Sequence, residues 1–91
     1  MTMNEELLMA IINRYGERNQ AKKANEEMYE LTEAIHNHMA GRGSIRAIAE
    51  EMADCLVVIE QFRLKYNISK DELRDMANYK IDRQIERMKH E

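Results

Sequence analysis

The chain holds no proline in 91 residues and only three glycines, Gly16, Gly41 and Gly43. Proline and glycine are the residues that interrupt regular structure and shape tight turns. A many-stranded sandwich or barrel needs such signals at short intervals, so that class is excluded. The apolar residues instead recur at helical spacing, and four segments follow. The first starts near Thr2, where Thr2 and Glu5 have capping-box spacing. It carries Leu7, Leu8, Ile11, Ile12 and Tyr15 and stops at Gly16. The second runs from about Glu17 to Met39 with Ala24, Met28, Leu31, Ile35 and Met39 as its stripe. Gly41-Arg42-Gly43 breaks it, and Ser44 caps the third, about Ser44 to Tyr66. That third helix has two stripes: Ile45, Ile48, Met52, Leu56 and Ile59, and Cys55, Val58, Phe62 and Tyr66. A helix apolar on two sides is a central one with neighbours on both flanks. The fourth, about Ser69 to Lys89, opens on a Ser69/Glu72 capping box, with Asp71 in its first turn. It carries Leu73, Met76, Ala77, Ile81, Ile85 and Met88. The expected fold is all-α: one domain over residues 1–91, four helices in an antiparallel bundle.

Charge and size narrow the function. With 14 Lys+Arg against 17 Asp+Glu the formal charge is -3, which argues against a nucleic-acid binder. The single cysteine, Cys55, allows neither an internal disulfide nor a cysteine-based zinc cluster. The longest apolar run, Cys55 to Ile59, is far short of the roughly 20 residues a membrane span needs. The amino-terminal stretch has two acids and no basic region, unlike a secretory signal. A soluble, cytoplasmic protein is expected. A chain this short buries roughly 60–65% of its surface. Yet 44% of its residues are hydrophobic, eight of them methionine. That is more apolar stripe than one copy covers, so a homo-oligomer, dimer or tetramer, is expected.

Most acids read as surface charges, Glu5, Glu6, Glu60, Asp75 and Glu86 among them. Two pairs do not: Glu27 with Glu30, and Glu51 with Asp54. Residues three apart share one side of a helix. Glu27 lies about 60° from the centre of the second stripe, and Glu30 lies further out on the same flank. Glu51 and Asp54 border the Cys55/Val58/Phe62 stripe. Two antiparallel helices joined by the glycine turn would bring all four to one rim of the groove. Four converging carboxylates repel one another unless a cation joins them. Mg²⁺ and Mn²⁺ prefer such oxygens, and a site of this kind suits attack on a phosphoanhydride. The plainer reading is two acid pairs on solvated helix faces, which arise easily when 34% of residues are charged.

The surrounding residues carry more than spacing. Glu26-Glu27-Met28-Tyr29-Glu30-Leu31-Thr32-Glu33-Ala34-Ile35 resembles the first acidic signature of the MazG-like, all-α nucleoside triphosphate pyrophosphohydrolases. Glu50-Glu51-Met52-Ala53-Asp54-Cys55-Leu56 is similar to the second, and the twenty residues between Glu30 and Glu51 fit the family's gap. Tyr15-Gly16 followed by Gln20 is similar to short phage-type members. The resemblance covers about Tyr15 to Arg87. It implies Mg²⁺-dependent hydrolysis of a (d)NTP to the monophosphate and pyrophosphate, with Mn²⁺ as a possible substitute. It implies Glu27, Glu30, Glu51 and Asp54 as catalytic metal ligands, with Glu26 and Glu50 outside that set. It places Lys80 and Arg83 near the substrate phosphates. Gln84 stands where relatives often have Asn; its amide offers the same contacts from a longer side chain. The implied role is clearance of non-standard nucleotides or control of the nucleotide pool. Two alternatives stay open: a non-enzymatic helical adaptor, and a member that binds nucleotides without hydrolysing them. Convergence of the four carboxylates separates the adaptor from the enzyme.

Other residues have plainer readings. His36 and His38 point about 200° apart on a helix, which makes them poor joint ligands and better partners for the helix carboxyl end. Lys22-Lys23 reads as a solvated face, with phosphate contact as the rival reading. Gln20 reads as a helix-start polar residue or a nucleotide contact. Arg42 is expected to be exposed, and Cys55 buried and inert.

Overall fold

The computed structural model describes residues 2–91. Four helices form: α1 (Glu5–Tyr15), α2 (Glu17–Met39), α3 (Ile45–Lys65) and α4 (Lys70–Met88). No strand occurs among the described residues. The all-α expectation holds, and three of the four helices have both limits within a residue of those read from sequence.

The first boundary differs. Asn4, not Thr2, caps α1: its Oδ1 accepts from Leu7 N–H at 3.1 Å. Asn is a stronger cap than Thr, and this start puts Glu5 and Glu6 together in the first turn, where they suit the dipole. Ser44 and Ser69 cap α3 and α4 as expected, accepting from Ala47 N–H and Glu72 N–H.

Helix α3 is the central element, packed against both α1 and α2. Helices α2 and α3 run antiparallel, so Gln20 meets Gln61 at one end and Glu27 lies beside Cys55 further along. The turn between them closes with Arg42 N–H donating to Asn37 C=O at 2.7 Å, and Gly41 there takes φ +81°. Arg42 is exposed and touches Asn37 Oδ1. Cys55 is buried, as expected, and its thiol donates to the Glu27 carbonyl at 3.4 Å.

Arg63 ties three elements together. Its guanidinium is buried and bonds Glu60 at 2.7 Å, Glu5 of α1 at 3.0 Å and the Ile68 carbonyl at 2.8 Å. Glu60 is therefore not the ordinary surface charge that the sequence suggests, while Glu5 is exposed as expected but paired. Periodicity shows which face a residue is on, and the opposite charge that meets it comes from another element.

The apolar core is small. Leu8, Ile12, Cys55 and Val58 are the buried apolar residues among those described. The α2 stripe is a correction: Met28, Ile35 and Met39 are exposed, while the buried side chains of that helix are Gln20 and Glu27. Leu7, Ile11 and Tyr15 of α1 and Ile45, Met52 and Ile59 of α3 are also exposed. Helix α4 buries nothing, and Leu73, Met76, Ile81, Ile85 and Met88 all face outward. The radius of gyration is 15.8 Å. A compact chain of this length would have about 12 Å. The helices have formed, but many of their large apolar side chains stay exposed on the single chain.

Candidate metal centre

The antiparallel register of α2 and α3 builds the site. Glu27 and Glu30 sit one turn apart on α2; Glu51 and Asp54 sit one turn apart on α3. Glu27 faces Asp54, and Glu30 faces Glu51. With Gln20 and Gln61, these make three facing pairs whose residue numbers add to the same total. A single register, locked at the amide pair, therefore brings the carboxylates into opposition two turns away. One oxygen from each of the four acids lies within 4.8 Å of the others.

The electrostatics follow from that crowding. Burial pushes the Glu51 carboxyl above its ordinary value, and the charge of Glu30 across the groove pushes it further. Burial raises Asp54 as well, with Glu27 as the next cause, while Lys23 opposes the shift. Burial and the same acids raise the Cys55 thiol, which keeps it protonated and unreactive, as expected. Glu27 is 4% exposed and holds Lys23 Nζ at 2.8 Å through Oε1. That contact in turn raises Lys23, which stays charged.

Two buried oxygens have no hydrogen-bond partner, Glu27 Oε2 and Glu51 Oε2. An orphaned carboxylate oxygen costs stability unless something positive meets it. Hard oxygen donors at this spacing fit a Mg²⁺- or Mn²⁺-sized cation. The donor set matches the expected ion, and the unsatisfied oxygens are where it would bond.

A cavity of about 460 Å³ opens beside the acids. Glu26, Glu27, Asp54, Lys23, Asn19, Gln20 and Gln61 line it together with Ile11, Tyr15, Val57 and Val58. Such a mixture of apolar wall and a few polar groups is typical of ligand sites. A model of the MazG nucleotide pyrophosphohydrolase domain matches residues 16–90. The chain belongs to that family. No curated protein and no solved structure matches it. The MazG match takes in α2, α3 and α4 entire, and so both acidic pairs and the glycine turn between them.

Within this MazG domain the sequence-derived residues divide into two groups. Glu27, Glu30, Glu51 and Asp54 come together. Lys80, Arg83 and Gln84 do not line the cavity; they sit exposed on α4, where the Arg83 guanidinium lies over the Tyr79 ring at 5.9 Å. The cation beside the acids is Lys23, which reads from sequence as a solvated face. Its position four residues before Glu27 was the available signal. Gln61 is the other residue that sequence reading passes over. It follows Asp54 by seven residues, as Glu27 follows Gln20, and that symmetry becomes visible once the register is known. His36 and His38 lie in the last turn of α2, away from the acids, in keeping with the helix-end reading.

Proposed function

We propose that this MazG domain is a metal-dependent nucleoside triphosphate pyrophosphohydrolase, releasing pyrophosphate and a (d)NMP. The observation that carries the reading is the convergence of four carboxylates with two buried, unpartnered oxygens. Glu27, Glu30, Glu51 and Asp54 hold Mg²⁺ or Mn²⁺. A divalent ion there supplies polarisation of the phosphoryl group and lowers the pKa of water beside it. Lys23 meets the phosphate oxygens as a point charge from the cavity wall. A carboxylate oxygen of the quartet that the ion does not engage would take the proton of the attacking water. Lys80, Arg83 and Gln84 contact the phosphate tail when α4 lies across the cavity, whether from the same chain or from a neighbouring copy. The protein works as a homo-oligomer, because α4 and the outer faces of α2 and α3 have no cover within one chain. Its role is clearance of non-standard nucleotides or control of the pool.

The test is pyrophosphate release across standard and modified NTPs and dNTPs, with Mg²⁺ or Mn²⁺, beside Glu51→Gln. Wild type is expected to turn over only with metal, and Glu51→Gln to lose about a hundredfold or more. Absence of release from every nucleotide, with the helical fold confirmed by circular dichroism, would transfer the reading to a nucleotide-binding or adaptor module.

A further inference from the structure

The cavity's far end from the acids is closed by an unusual pair. Gln20 is 7% exposed and Gln61 is 1% exposed, and Gln20 Nε2 donates to Gln61 Oε1 at 2.8 Å. A carboxamide carries one acceptor oxygen and one amino group with two donors. The single bond between them uses one oxygen and one amino group. No other hydrogen bond reaches either carboxamide among the described residues. The remaining oxygen and amino group are not sealed in protein, since the buried partnerless side-chain atoms are Glu27 Oε2 and Glu51 Oε2. Both residues line the cavity, which is the space their free ends can reach.

The spacing matches a nucleoside. Seven residues separate Gln20 from Glu27 on α2, and seven separate Asp54 from Gln61 on α3. At 1.5 Å per residue that is about 10 Å from the acids to the amide pair. A nucleotide spans a similar length from its 5′ phosphorus to the far edge of its base. Ile11, Tyr15, Val57 and Val58 supply apolar walls between.

We propose that the base of the bound nucleotide seats in this cavity and that the Gln20–Gln61 pair hydrogen-bonds its edge. This rests on the nucleotide reading above and adds the specificity element to it. The pair reads in either sense. With Gln20 donating to Gln61, the cavity meets an oxygen on Gln20 and an amino group on Gln61. Turning both carboxamides over together exchanges them. Amino bases, adenine and cytosine, present a donor beside a ring-nitrogen acceptor. Keto bases, guanine and uracil, present the reverse order. A reversible amide pair accepts both orders, so the enzyme takes amino and keto bases alike.

Steady-state pyrophosphate release from ATP, GTP and their deoxy forms tests this in wild type, Gln61→Glu and Gln20→Met. Wild type should handle the adenine and guanine substrates within about tenfold of each other. Gln61→Glu replaces the reversible amide with an acceptor, which faces the adjacent N–H donors of guanine. Its guanine-to-adenine ratio in kcat/KM should rise by about tenfold or more. Gln20→Met should raise KM for both bases, with the loss falling mainly on KM. It also serves as the test if Gln61→Glu fails to fold by circular dichroism. Base ratios unchanged within about twofold in folded Gln61→Glu, or an unmoved KM in Gln20→Met, overturn the proposal and leave the pyrophosphohydrolase standing. A wild type that prefers one base class by more than about a hundredfold overturns the two-way reading. If wild type releases no pyrophosphate, Kd values for α,β-imido nucleotides with Mg²⁺ give the same ratios. A wild type that binds none of them overturns both this proposal and the reading it rests on.

Discussion

Glu51 and Asp54 take up protons more readily in the fold than as free carboxylates, because burial and facing acids disfavour their charge. The consequence for stability has a definite sign. A carboxyl whose folded pKa is raised binds more protons folded than unfolded across the window above its ordinary value. Stability contributed by these two groups is therefore present at low pH and is lost as pH rises out of the ordinary carboxylate range. A divalent cation that binds the ionised, folded cluster would offset that loss. The contribution of these two groups to the melting temperature in EDTA should fall as pH rises from the ordinary carboxylate value of about 4 towards neutrality. Mg²⁺ or Mn²⁺ should raise the melting temperature more at pH 7 than at pH 4. A melting temperature indifferent to metal at both values would count against the cluster as a cation site.

The helices depend on their junctions. Gly16 ends α1 and begins α2 with φ +89° and ψ 154°, a conformation open in practice only to glycine. Its amide donates to the Ile12 carbonyl at 2.8 Å, and its own carbonyl accepts from Gln20 N–H at 3.0 Å. One residue thus finishes one helix and starts the next, and it also sets where Gln20 enters the groove. A Cβ at this position would meet nothing within 4 Å, so the cost of Gly16→Ala is backbone strain alone. We expect about 1–3 kcal/mol of destabilisation, read from the urea midpoint. A neutral result would mean that the junction relaxes to another conformation.

For the whole molecule the decisive property is unspent apolar surface. Helix α4 leaves Leu73, Met76, Ile81, Ile85 and Met88 exposed on one chain, and Met28, Ile35, Met52 and Ile59 are open on α2 and α3. Burying such side chains is worth about 1.5–3 kcal/mol each. The expected state in solution is a dimer or tetramer by light scattering. A charge introduced by Ile81→Asp with Ile85→Asp should weaken association and lower the melting temperature in a concentration-dependent way. A monomer of undiminished stability in the wild type would refute the argument from exposed surface.

The four helices were legible because their signals are local. Spacing, serine caps and glycine breaks act within a few residues of chain, and the helix limits followed to within a residue, apart from the first, where Asn4 competes with Thr2. The acidic quartet was legible for a related reason: two i,i+3 pairs flanking a short turn can converge in few ways. What the sequence left open was which polar side chains the groove would bury. Gln61, Lys23 and Arg63 each take their meaning from a partner on another element or, for Lys23, from the cavity beside it. Helical periodicity carries no information about the partner facing a given residue. The same limit explains the α2 stripe, of which the fold leaves Ala24 and Leu31 half-buried and Met28, Ile35 and Met39 in solvent. The amino-acid sequence determined the elements by interactions between near neighbours, and the candidate ligands through the resemblance of its two acidic segments to the family's signatures. The tertiary structure alone decided the register of α2 on α3, because that register comes from long-range packing, and the register is what gathers the four acids and sets the two amides on the wall of the adjoining cavity.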